Sequence, residues 1–306
     1  MQRFRLESRF QEGRRGCPSL FIPDPTAYPV PVTISTRRRV YWLLFVLSLG
    51  MLLAGVGLAI PALGRGFLTL ALEAHFEHHR WEFLGIGIGS ITAAMAGGIL
   101  SAMFAAAMLL AILISFRKTG SDEIFFLSFW AFTCAFEVGR IVVVRIAAEG
   151  VPIPWAAMVT RTVIAARFAG YGAFLLAGLC SGGFRSERPG LSLGIVSAVG
   201  LSLSSFIPMD TGAFSDTLLS RFGYSDIQLP VVMALGAITG ASYIVGARIT
   251  GEKRFASIAI AALLLLAGQE VLVTSWRPEA LALGLALMGI GAQIAISRLH
   301  AWYLWQ

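Results

Sequence analysis

Residues 88–147 read IGSITAAMAGGILSAMFAAAMLLAILISFRKTGSDEIFFLSFWAFTCAFEVGRIVVVRIA, which is two long apolar runs joined by a short polar turn. An α-helix of about 20 apolar residues crosses the hydrocarbon core of a bilayer, and each run is at least that long. Unpaired backbone groups are too costly in hydrocarbon for irregular chain to cross it. The stretch therefore predicts two membrane-spanning helices joined on one side of a membrane.

Long apolar runs separated by short polar segments continue through most of the chain. Of its 306 residues, 57% are hydrophobic and only 13% are charged, which is more apolar surface than a soluble core of this size can bury. We therefore expect an all-α, polytopic membrane protein with eight spans, arranged as one helix followed by seven. The predicted spans are 40–62, 88–116, 123–147, 155–180, 190–208, 227–249, 254–274 and 279–303.

Positive charges indicate the topology. Residues 1–39 form a basic tail with five prolines, followed by the membrane domain at 40–306. Lysine and arginine are enriched in cytoplasmic loops, so we expect both termini in the cytoplasm and the protein in the inner membrane. A cleavable signal peptide is the alternative for the tail and first span. The basic residues behind the net charge of +7 lie mainly in the tail and in alternate loops, where membrane topology explains them. We therefore predict no nucleic-acid binding. The tail side carries Arg117, Lys118, Arg185, Arg188, Arg248, Lys253, Arg254 and Arg298, and the other side Arg65, Arg80, Arg221 and Arg277.

Residues near 66–83 have an amphipathic pattern that predicts a helix on the outer membrane surface. His75 and His79 are four residues apart and Glu82 follows one turn later, which is a spacing that zinc or copper can use. No second group of ligands accompanies them in the sequence. We therefore expect a surface helix without a bound metal.

Other chemical signatures are missing from the sequence. A Walker A loop, a serine nucleophile elbow and a His-Glu-x-x-His helix do not occur. The thiols of Cys17, Cys134 and Cys180 have no paired spacing and predict neither a disulfide framework nor a zinc site. We expect no cofactor and no catalytic residues, and we do not predict an enzyme.

Charged residues inside predicted spans are the strongest functional signal. An arginine at the centre of a membrane helix costs about 2.5–3.5 kcal/mol on insertion scales, so such residues face the bundle interior and have partners. Arg140 precedes the 148–154 loop by nearly as many residues as Arg161 follows it, so the two should lie at a similar depth in the membrane. Glu137 should lie within one helical turn of that depth. The group consists of Glu137, Arg140 and Arg145 in the third predicted span, Arg161 and Arg167 in the fourth, and Glu270 near the outer end of the seventh.

Three interpretations of this group remain open. It can be a structural network of ion pairs, with Arg145 extended to the surface. It can be an outward-facing pocket for a carboxylate, a phosphate or a lipid headgroup, since arginines outnumber acids. It can also be a proton or ion pathway that uses Glu137 and Glu270. The predicted ligand-binding set is Glu137, Arg140, Arg161, Arg167 and Glu270.

Phe116-Arg117-Lys118, the DEIFFLSF segment at 122–129 and Glu137-x-x-Arg140 resemble bacterial seven-transmembrane sensory domains, the receptors with diverse intracellular signalling modules. The resemblance covers the second to the eighth span. It implies a sensor, although no large domain precedes the seven helices and no output module follows Gln306. An output would then come from a partner protein.

The leading hypothesis is thus a sensor or accessory subunit that binds an anionic ligand or lipid from the outer side and acts through partners. The alternatives are a small transporter or flippase-like permease and a structural subunit of a membrane complex. No internal repeat supports a permease.

The topology is tested by reporter fusions. We expect a reporter fused after Gln306 to be cytoplasmic and one inserted near Thr211 to be outside, because the Lys and Arg distribution orients the spans. Cysteine labelling or a dual reporter measures both positions. Assignment of both to the same side would contradict the eight-span topology.

Overall fold

The computed structural model confirms an all-α protein, and the part of the chain that it describes contains eight helices that are long and apolar enough to cross a membrane. Predicted and observed spans agree within a few residues, as in the third span, Asp122–Ala147. The surface helix predicted near 66–83, with His75, His79 and Glu82, lies outside the described residues. The structure describes residues 34–64, 91–116, 121–149, 153–183, 188–215, 217–223, 225–251, 254–275 and 277–303.

The elements follow in chain order. The helices are α1 Ile34–Gly64, α2 Ile91–Ser115, α3 Asp122–Cys134, α4 Gly139–Ala148, α5 Ile153–Ser181, α6 Pro189–Phe206, α7 Ser225–Thr250, α8 Arg254–Thr274 and α9 Pro278–Tyr303, with a 3₁₀ turn at Ala135–Val138 and strands β1 Met209–Phe214 and β2 Ser220–Phe222.

Helix α1 begins earlier than the predicted end of the tail at residue 39. It starts at Ile34, so the arginines beside the first span are helical. The Arg37 Nη2 atom lies 2.8 Å from Asp122 Oδ1 at the start of α3. This ion pair joins the beginning of α1 to the beginning of α3.

Helices α2, α3, α4, α5 and α8 form the interior of the bundle, whereas α6 is the least buried span. Large apolar side chains such as Leu53 and Phe206 are exposed on the outer helices. Outward-facing apolar side chains suit contact with lipid tails, which are as apolar as leucine.

The third span is not a continuous α-helix. The 3₁₀ turn Ala135–Val138 separates α3 from α4 and contains Glu137. Glycines of two other helices press against it: a Cβ at Gly98 would lie 2.7 Å from the Glu137 carbonyl oxygen, and one at Gly55 would lie 2.8 Å from Val138 Cγ1. Helices α1 and α2 therefore approach the turn to a distance that only glycine allows. A 3₁₀ segment inside a helix often marks a functional position.

A β-hairpin, which the sequence analysis did not predict, connects α6 to α7. Leu218 and Leu219 are buried between its strands and pack with apolar residues of α1, α2, α4 and α5. The Ser220 backbone N–H donates to Thr160 Oγ1 at 3.1 Å, which fixes the hairpin to α5. The hairpin thus covers the end of the bundle where α4 and α5 are joined.

The close approach at Gly98 is testable by paired substitutions. We expect Gly98→Ala to destabilise the protein by about 1–3 kcal/mol, because the new methyl group overlaps a backbone carbonyl. Gly57→Ala is the matched control, since a Cβ there has no neighbour within 4 Å. Thermal melting of the detergent-solubilised variants measures both. Equal melting temperatures for Gly98→Ala and the wild type would contradict the packing.

Candidate functional site

Glu137 is the centre of the intramembrane charge cluster. Its position in the 3₁₀ turn places it beside Arg140, three residues later at the start of α4. Arg167 approaches from the middle of α5. All three side chains are almost fully buried.

Both arginines hydrogen-bond to the Glu137 carboxylate. Arg140 Nε donates to Oε2 at 2.9 Å, while Arg167 donates from Nε to Oε1 at 2.6 Å and from Nη2 to Oε2 at 2.8 Å. The Arg167 contact is the two-pronged geometry in which a guanidinium binds a carboxylate most strongly. Glu137 is therefore held by three hydrogen bonds and joins the third span to α5.

Arg140 uses only part of its donor capacity. Its Nη1 and Nη2 atoms are buried and have no acceptor among the described residues, although the side chain is 0% exposed. A guanidinium has five N–H donors, and buried donors without an acceptor carry a free-energy penalty. The terminal end of this side chain thus presents two adjacent nitrogens, with four N–H donors between them, that have no acceptor among the described residues.

A second acidic group lies close to these arginines. The Tyr171 hydroxyl donates to Glu270 Oε1, which links α5 to α8. Arg140, Arg167 and Glu137 all lie near enough to Glu270 to interact with it electrostatically. Among the described residues, Glu270 nevertheless makes no ion pair. The two carboxylates are thus held in different ways, Glu137 by arginines and Glu270 by a neutral hydroxyl.

Aromatic packing supports the cluster from the α3 side. Trp130 Nε1 donates to Gln269 Oε1 at 2.8 Å, next to Glu270 in sequence. The Trp130 ring also packs against Phe104 and Phe174, with ring centroids 6.1 and 4.8 Å apart. These contacts fix the orientation of α3, α5 and α8 around the charged residues.

Arg161 lies away from this cluster. It is exposed, unlike Arg167 on the same helix. Six residues separate the two, which is about 240° around an α-helix of 3.6 residues per turn, so they occupy different faces. Arg145 pairs with Glu149 at 2.6 Å and is partly exposed. Counting residues from the 148–154 loop gives the depth of Arg161 in the membrane but not the helix face on which it lies. The expected proximity of Arg161 to Arg140 is therefore not observed.

Four of the five residues proposed as ligand-binding are thus close to one another, namely Glu137, Arg140, Arg167 and Glu270. Their ligand-binding role stays a prediction. Tyr171 was missed by the sequence analysis, although it follows Arg167 by four residues and so shares its helix face. Within the part of the chain that the structure describes, no group of three or more metal-ligating side chains occurs.

No protein-family model matches this chain, and no curated protein or solved structure is detectably similar to it. The resemblance to seven-transmembrane sensory domains therefore stays a prediction as well.

The role of Glu137 in stability is testable by neutralisation. We expect Glu137→Gln to lower the free energy of unfolding by about 3–5 kcal/mol, because two buried guanidinium groups lose their shared carboxylate. Glu149→Gln is the matched control, since it breaks a partly exposed pair worth about 0–1 kcal/mol. Denaturation of purified protein in detergent compares the two. A loss at Glu137 no larger than that at Glu149 would show that the buried pairing is unimportant for stability.

Proposed function

We propose that this protein is a membrane sensor or accessory subunit that binds a small anion from the outer side and acts through partner proteins. The observation that carries the proposal is the Arg140 guanidinium, which is fully buried and has two terminal nitrogens without an acceptor in the described structure. The inner, cytoplasmic membrane and cytoplasmic termini remain part of the proposal.

The chemistry of these donors favours an oxyanion. Two adjacent N–H groups of a planar guanidinium match two oxygens of a carboxylate, a phosphate or a similar group. Arg167 is already occupied by Glu137 through two hydrogen bonds. Arg140 is therefore the arginine available to a ligand, and Glu137 and Arg167 are its supports.

The depth of Arg140 favours a free anion over a lipid headgroup. A headgroup reaching a side chain that is 0% exposed would have to bring its acyl chains between the helices. With cytoplasmic termini, the chain crosses the membrane outward along α3 and α4, so Arg140 lies beyond the midpoint of this span. Glu270, near the end of α8, then also lies in the outer half. A ligand would arrive from outside, near the end covered by the hairpin.

A transporter that uses Glu137 and Glu270 as coupling groups is the second candidate. The three hydrogen bonds to Glu137 disfavour it as a mobile proton carrier. Glu270 forms no ion pair in the described structure and is the better carrier of the two. A structural subunit of a membrane complex is a third option, which co-purification of partner proteins would support.

Anion binding is tested by thermal stabilisation of the purified protein. We expect a small oxyanion from a panel of acetate, methanesulfonate, nitrate, phosphate and sulfate to raise the melting temperature. At 100 times its Kd a ligand contributes about 2.7 kcal/mol to the free energy of unfolding. Arg140→Lys should remove this effect, because lysine keeps the charge but lacks the planar pair of donors.

Arg161→Lys is the matched control, since it also replaces an arginine by a lysine, but at an exposed position. It should respond to the anions as the wild type does. A wild type that no anion stabilises would contradict the proposed function and leave the cluster with a structural role.

A further inference from the structure

The charges of the cluster balance only when both of its acids are ionised. Among the described residues it contains two arginines, Arg140 and Arg167, and two acids, Glu137 and Glu270. With both acids ionised the sum is zero. A monovalent anion at Arg140 would leave one uncompensated negative charge inside the membrane, which is strongly unfavourable.

A proton on one of the acids restores the balance, and the contacts distinguish the two. Glu137 accepts three hydrogen bonds from two guanidinium groups, and these bonds favour its ionised form. Glu270 accepts from the neutral hydroxyl of Tyr171 and has no ion pair in the described structure. An ionised Glu270 would also repel an anion bound at Arg140. No arginine in the described structure forms an ion pair with Glu270 that would keep it ionised.

We infer that the anion binds to the form of the site in which Glu270 carries a proton, so that the ligand is a monovalent oxyanion together with a proton. This inference rests on the proposed binding of an anion at Arg140. Above the pH at which Glu270 ionises in the empty site, one proton from water is added to the Glu270 carboxylate for each anion bound. No covalent bond forms to the anion.

Other ionisable groups near Glu270 are not expected to take up this proton. Arg140, Arg167, Glu137 and Tyr171 face it from the third span and α5. Helix α2 has no ionisable residue, and α9 contributes the exposed Glu279 at the same end of the bundle. The remaining described charged or ionisable groups on or next to the helices packed against α8 include Arg277 immediately before α9 and, at the far end, Arg248, Arg298 and His300.

The test is calorimetric titration of the detergent-solubilised protein with methanesulfonate, whose charge does not change with pH. We expect the affinity to be constant at acidic pH and to fall about tenfold per pH unit once Glu270 ionises in the empty site, because one proton is then taken up per anion. Titrations in two buffers with different heats of ionisation count this proton directly in the wild type.

Glu270→Gln should bind methanesulfonate with a pH-independent affinity and without proton uptake, because the amide is neutral at every pH. Glu279→Gln, an exposed acid near the same end, should behave as the wild type does. Binding by the wild type at constant affinity from about pH 5 to about pH 9 with no proton counted, together with clearly tighter binding by Glu270→Gln at every pH, would overturn the inference and leave anion binding intact, because an ionised Glu270 would then coexist with the bound anion. Constant affinity equal to that of Glu270→Gln would instead show that Glu270 is protonated throughout this range, as the inference requires. Absence of binding at every pH, in the wild type and in Glu270→Gln, would overturn anion binding itself and the inference with it.

Discussion

The pairing of Glu137 with two arginines is the interaction on which the interior of this bundle depends. A charge inside a membrane must have a partner, and Glu137 has two, from its own span and from α5. The 3₁₀ turn that carries it fits only because glycines of α1 and α2 allow their backbones to come close. Helix packing and charge neutralisation therefore stabilise the same position in the membrane.

The two arginines of this cluster use their hydrogen-bond donors to different extents, and this difference is what favours a function beyond stability. A purely structural network is expected to use the donors of its buried groups, because each unused donor weakens it. Arg167 is fully engaged in binding Glu137, whereas the terminal nitrogens of Arg140 have no acceptor among the described residues. Under the proposed function, stability and binding depend mainly on different arginines of one cluster, which makes them separable by mutation.

The sequence predicts the fold better than the site, for physical reasons. Hydropathy and charge are enough to predict the eight spans, because the thickness of the bilayer sets the length that each apolar helix must have. The spacing of Glu137 and Arg140 predicts their contact, because residues three apart share a helix face. The exposure of Arg161 was not predictable from depth alone, and the bond between Tyr171 and Glu270 depends on how α5 and α8 pack. The hairpin between α6 and α7 is short, and its few residues give little periodic signal.

The charge balance of the cluster has an electrical consequence. The transmembrane potential does work of about 2.3 kcal/mol per elementary charge and 100 mV. Two arginines and two ionised acids carry no net charge, so the field exerts almost no net force on them together. An anion entering with a proton is likewise electrically neutral. If the site binds an anion with a proton as proposed, its occupancy depends on solute concentration and acidity and is insulated from changes in membrane voltage.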